Sequence, residues 1–108
     1  MYPVDPEDVA AVYDMLRALR PFRRWKLPPS ESVKFFIRPM PKESAEWRYD
    51  GTTHEVHISA LNIGHLDNLV QSVAHEMIHI SIGKPGHGTE FKRRAKLVCK
   101  WGFDPKSF

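Results

Sequence analysis

"SVAHEMIHISIGKPGHGTEF", Ser72 to Phe91, holds three of the chain's six histidines and four residues that are glycine or proline. His75 and His79 stand four apart. On a helix that spacing turns both imidazoles to one face, a turn apart, where they can reach a single metal ion. Val70, Val73, Ala74, Met77, Ile78 and Ile80 make the segment apolar on most sides, which predicts a central, buried helix. Glu76 follows His75, rotated to the side, so its carboxylate can reach a water beside the metal without being a ligand. His75 to His79 spells H-E-x-x-H, a motif whose chemistry requires this spacing.

Two ligands do not complete a catalytic zinc site; three protein ligands and an open position do. Gly83 permits the helix to stop soon after His79, and Pro85 and Gly86 turn the chain back, which brings His87 to the metal. The glycines are expected here because tight turning beside a metal leaves little room for side chains. Glu90 is the alternative third ligand; its other role is to favour the positive end of the following helix. Zn2+ held by His75, His79 and His87 keeps its full charge and lowers the pKa of bound water to about 7. Glu76 is then the expected general base for attack on a peptide carbonyl. Histidines at this spacing also occur as plain polar surface, but on a helix apolar nearly all round unpaired polar groups are costly, which favours the metal.

The flanking segments predict the rest. Residues 4–22 read as a helix: Asp5 is an N-cap, Pro6 suits the first position, and Val9, Val12, Leu16 and Leu19 recur at helical spacing until Pro21. A polar connector with two prolines follows, and its Trp25 suits either the core edge or stacking on a base. Residues 32–40 predict a strand with Val33, Phe35 and Ile37 on one face. Residues 45–59 predict a hairpin about Asp50-Gly51, pairing Tyr49 with Thr52, Trp47 with His54 and Ala45 with Val56. That register collects Ala45, Trp47, Tyr49, Val56 and Ile58 on one face, but sets Glu46 opposite Glu55, a like-charge conflict. His54, beside Trp47, reads as a hydrogen-bonded core histidine; His57 and His65 read as surface. The central helix has Asp67 as its candidate cap. A third helix starts with Thr89 as cap, buries Phe91, Ala95, Val98 and Trp101, and ends at Gly102. The order helix, three strands, helix, helix is an α+β arrangement.

The chain has 108 residues, 42% of them hydrophobic, which suggests one domain, 1–108. One cysteine, Cys99, fits a reducing intracellular setting and reads as a small buried hydrophobe. The first residues lack the pattern of a secretory signal, and no apolar run approaches bilayer length, so a cytoplasmic monomer without membrane contact is expected. A net charge of +3 is compatible with nucleic acid without arguing strongly for it.

With these residues in place, "AHEMIHI" followed by "GHGTEFKRRA" resembles the SprT-like zinc metallopeptidases, which include the Spartan proteases. His75, Glu76, His79 and His87 fall on the family's H-E-x-x-H and later G-H-G-x-x-F positions, as do Gly88 and Phe91. The resemblance covers residues 55–102 best. It implies a zincin-type domain with a helix packed on a small sheet, protein or peptide substrates, and DNA-associated proteins as a substrate class. Seven residues separate His79 from His87, fewer than in many relatives. Relatives also carry a four-cysteine zinc ribbon that helps bind DNA; with one cysteine, this chain is expected to lack it.

Three functions follow as expectations. The first is a zinc endopeptidase, its edge strand holding an extended substrate by backbone pairing. The second is a non-catalytic domain in which zinc is structural and two basic clusters, residues 20–26 and 91–96, bind nucleic acid. The third is a metal hydrolase acting on something other than peptides. Glu76 discriminates, because a structural site has no need of a carboxylate beside an open position.

Overall fold

Helix α1, Pro6–Arg17, starts where Asp5 caps it: the Asp5 carboxylate accepts the Asp8 N–H at 3.0 Å while the Asp8 carboxylate accepts the Asp5 N–H at 3.0 Å. The computed structural model describes residues 4–42, 45–61 and 66–100. The apolar face of α1 is Val9, Tyr13 and Leu16, all fully buried. This corrects the sequence expectation: Val12 is half-buried and Leu19 is exposed, because the helix ends at Arg17 and Leu19 lies beyond it. Tyr13 replaces them. Its ring meets Phe35 at 5.5 Å and its hydroxyl donates to the Pro28 carbonyl at 2.6 Å. Burial pushes the Tyr13 phenol well above its ordinary value. The connector is less polar than its composition suggests. A 3-10 turn, Phe22–Arg24, drops Phe22 into the core, Leu27 is also buried, and Trp25 packs edge-on against Phe22.

Strands β1 (Val33–Arg38), β2 (Ala45–Tyr49) and β3 (His54–Ser59) form one sheet in the order β1-β3-β2. β1 runs parallel to β3, and β2 antiparallel to it. Val33 is buried and Phe35 and Ile37 are half-buried, as the alternation predicts. The hairpin register differs from the expected one by two residues: Tyr49 pairs with His54, Trp47 with Val56 and Ala45 with Ile58. The turn is therefore longer than Asp50-Gly51. The Asp50 carboxylate accepts the N–H groups of Thr52 at 2.8 Å and Thr53 at 2.7 Å, a local motif that takes four residues to close. A shift of two preserves both faces, so the core assignment survives. It also removes the charge conflict, since Glu46 now faces His57 and Arg48 faces Glu55.

His57 is buried and not on the surface, because β3 is the middle strand. The parallel neighbour Phe36 stacks on its ring at 4.6 Å, Arg38 Nε–H donates to its Nδ1 at 3.0 Å, and Glu55 meets its Nε2 at 2.9 Å. His65, Trp101 and Gly102 lie outside the described residues.

Helix α2, Leu66–Ile82, packs on the sheet face that carries Phe35, Trp47 and Val56, the face α1 also covers, with Leu69, Val73, Ala74, Met77, Ile78 and Ile80 buried. Asp67 falls inside its first turn rather than before it. Helix α3, Thr89–Lys100, packs on α2 through Phe91, Ala95 and Val98. Thr89 is its first residue and not its cap. Cys99, one position off the buried stripe, is exposed. Among the described residues no helix is long and apolar enough to cross a membrane.

Candidate metal centre

The pitch of α2 puts His75 and His79 on one face, with ring centroids 5.1 Å apart. Gly83 ends the helix at φ +77° and its N–H donates to the His79 carbonyl at 2.7 Å. The chain then doubles back and delivers His87. Its Nε2 lies 3.2 Å from His75 Nε2 and 3.2 Å from His79 Nε2. One ring nitrogen from each of the three histidines falls within 4.8 Å of the others. The glycines of this corner do not make room, contrary to expectation: a Cβ built at Gly83, Gly86 or Gly88 meets nothing within 4 Å. What the turn requires is the positive φ of Gly83.

The donor set fits a metal ion. A tetrahedral centre with ligand nitrogens at about 2.0–2.1 Å separates them by about 3.3–3.4 Å, close to the 3.2 Å from His87 to each of the other two imidazoles. His79 is also held in the right tautomer. Its Nδ1 faces the Lys84 carbonyl at 3.0 Å, an atom that can only accept, so Nδ1 carries the proton and the Nε2 lone pair points to its neighbours. Burial, helped by the adjacent His87, keeps His79 below its ordinary pKa against the pull of the Lys84 carbonyl. The neutral form that a metal needs is thus the favoured one. His79 is buried, His75 half-buried and His87 exposed, so the group opens to solvent on the loop side.

Phe91 forms the floor. Its ring, 1% exposed, lies 5.1 Å from His75, 4.6 Å from His79 and 4.7 Å from His87. From above, a cleft of about 430 Å³ reaches the group, lined by His75, Glu76, His79 and His87 and by Ala45, Glu46 and Trp47 of β2. Glu76 is 2% exposed yet lines this cleft, beside the imidazoles and outside their group. Among the described residues β2 is an edge of the sheet, so the cleft runs along an edge strand.

The alternative ligand Glu90 points elsewhere. Its carboxylate accepts from Arg93 at 2.6 Å and Arg94 at 2.9 Å, and these guanidinium groups hold its pKa at about 2. His54 is a hydrogen-bonded partner and no part of the group: Trp47 Nε1–H donates to its Nδ1 at 3.0 Å, and burial lowers its pKa. Three contributors escaped the sequence: the Lys84 carbonyl, the contact of Trp47 with His79, and the reach of Phe91 to all three rings. Phe91 showed as a buried helix position and as a match to the G-H-G-x-x-F segment, and neither reading placed its ring against the three imidazoles.

No family model matches the chain, and no curated protein does. Its fold is similar to that in the crystal structure of the metallopeptidase zymogen of Methanocaldococcus jannaschii jannalysin. The likeness covers 86% of this chain and 74% of that one, with a TM-score of 0.56 and 19% sequence identity. The α+β arrangement of three helices and a three-stranded sheet is thus one that a metallopeptidase adopts.

Proposed function

We propose that the chain is a zinc endopeptidase of SprT-like type, with His75, His79 and His87 as ligands and Glu76 as general base. The observation that carries this reading is the convergence of three imidazole nitrogens beside a buried carboxylate, in a cleft bordered by an edge strand. A bound zinc ion supplies a Lewis acid that acidifies water and stabilises negative charge on the carbonyl oxygen. Glu76 takes the proton of the attacking water and returns it to the leaving amine. The Lys84 carbonyl keeps His79 in the ligating tautomer. The outer edge of β2 pairs with an extended substrate and lays its carbonyl across the cleft.

Glu76→Gln tests this against the structural-zinc alternative. The variant should keep its fold and its metal and lose cleavage of an unfolded protein by about 10²–10⁴-fold, the usual worth of a general base. Unchanged cleavage would move the base elsewhere. Loss of metal would make Glu76 a ligand, and absence of cleavage in the wild type would leave a metal-stabilised domain.

One contact favours DNA-associated proteins as the substrate class. The Arg94 guanidinium lies 5.0 Å over the Trp25 ring, which joins the basic cluster of α3 to the one after α1. Arg24 and Lys26 flank Trp25 in the chain, and Arg94 is brought to them from α3. Binding to single strands should be weak and indifferent to sequence, with a log–log salt slope of about −0.7 per phosphate contact. Cleavage of a DNA-binding protein with and without single-stranded DNA, at low and moderate salt, is the test. A rate indifferent to DNA at both salts leaves a plain peptidase.

A further inference from the structure

The side chains of β2 and β3 that face α2 form a ladder of rings ending on a metal ligand. Tyr49 stacks on His54 at 4.3 Å and 17°, His54 on Trp47 at 5.9 Å and 29°, and Trp47 on His79 at 5.8 Å and 8°. The first two contacts follow from the register. Tyr49 and His54 are directly paired, and Trp47 is the diagonal neighbour of His54 on the same face. The third joins the hairpin to α2.

We propose that Trp47 is a positioning residue for His79 and that His54 fixes the Trp47 ring, so that the hairpin and not α2 alone aims this ligand. The proposal rests on the metal-site reading above. An imidazole on a helix can still rotate about its Cβ–Cγ bond, and rotation swings the Nε2 lone pair off the metal. The Lys84 carbonyl sets the in-plane direction through Nδ1, at 3.0 Å. A near-parallel indole against the ring's face opposes the remaining rotation. The indole is itself locked, since its Nε1–H donates to His54 Nδ1 at 3.0 Å. Burial keeps His54 neutral, which preserves that nitrogen as an acceptor, and Tyr49 covers the His54 ring from the outside. Two restraints from two distant segments therefore meet on one ligand, the arrangement by which groups around a metal site hold ligands in place.

The test is zinc affinity, measured by competition with a chromophoric chelator. Trp47→Leu should weaken zinc binding about 10–100-fold. Trp47→Phe, which keeps a ring without the indole N–H, should lose less. His54→Leu should weaken binding, and His54→Asn, whose Oδ1 stands where Nδ1 was, should restore it. A general structural role would not produce the decisive result: in a His79→Ala background, Trp47→Leu should cost nothing further. If Trp47→Leu does not fold, Trp47→Phe and the His54 pair carry the same comparison. Wild-type affinity in the Trp47 and His54 variants, or an equal loss with and without His79, overturns the inference and leaves the metal site standing. A wild-type protein that binds no zinc overturns both.

Discussion

Phe91→Ala should destabilise the protein more in the presence of zinc than in its absence. A buried phenylalanine contributes through its packing alone, and truncation to alanine costs about 3–5 kcal/mol. A domain of this length has about 5–15 kcal/mol in all, so the variant is weakened but foldable over most of that range. Phe91 also touches all three imidazoles, at 4.6 to 5.1 Å. Removing a group that orients metal ligands weakens binding about 10–100-fold, or about 1.4–2.8 kcal/mol. With free zinc above both dissociation constants, this difference adds to the loss of folding stability. The expected cost is about 3–5 kcal/mol under chelator and about 4–8 kcal/mol under zinc. Urea denaturation followed by far-ultraviolet circular dichroism reads both. Phe91→Leu, which keeps an apolar side chain and loses the ring, should show the same excess under zinc from a milder baseline. Equal losses in the two conditions would mean that Phe91 fills space without holding the ligands, and would refute the reasoning.

Gly83→Ala should cost about 1–2 kcal/mol, since φ is +77° there and an added methyl has open space, so the cost is in the backbone alone. Gly86→Ala should leave the melting temperature unchanged, and matching shifts in the two variants would contradict this. Glu90→Gln should bind zinc as the wild type does, because the Glu90 carboxylate is held by Arg93 and Arg94; loss of zinc would restore it as a ligand. With its pKa lowered from 4.5 to about 2, ionised Glu90 favours the folded state above pH 4.5 and ceases to as the pH falls toward 2. Urea midpoints of wild type and Glu90→Gln, taken under chelator, should therefore converge as the solution is acidified, with a small, salt-screened gap at neutral pH.

The histidine spacing was readable because a helix has a fixed pitch: His75 and His79 had to share a face, and Gly83 had to end α2. The Asp5 cap and the alternation of β1 were legible for the same reason, since short-range geometry follows from neighbouring residues. What escaped depended on distant pairing. The Asp50-Gly51 dipeptide suggested a two-residue turn, but the Asp50 carboxylate bonds the Thr52 and Thr53 N–H groups and moves the register by two. Nothing near His57 announces that β3 is the middle strand with Phe36 laid over the ring. The contact of Trp47 with His79 joins residues 32 positions apart and appears only when α2 packs on β2. Cys99 sits beside Val98 in the chain, and a shift of one helix position separates core from solvent.

The central claim is that His75, His79 and His87 hold one catalytic ion and Glu76 does not. Crystals of the zinc-loaded protein, measured on both sides of the zinc absorption edge, test it most directly. The account predicts one anomalous peak per chain, about 2.0–2.1 Å from the three imidazole nitrogens, with the Glu76 carboxylate outside ligand distance. A peak that takes Glu76 or Glu90 as a ligand in place of His87, or that lies away from these histidines, would contradict it.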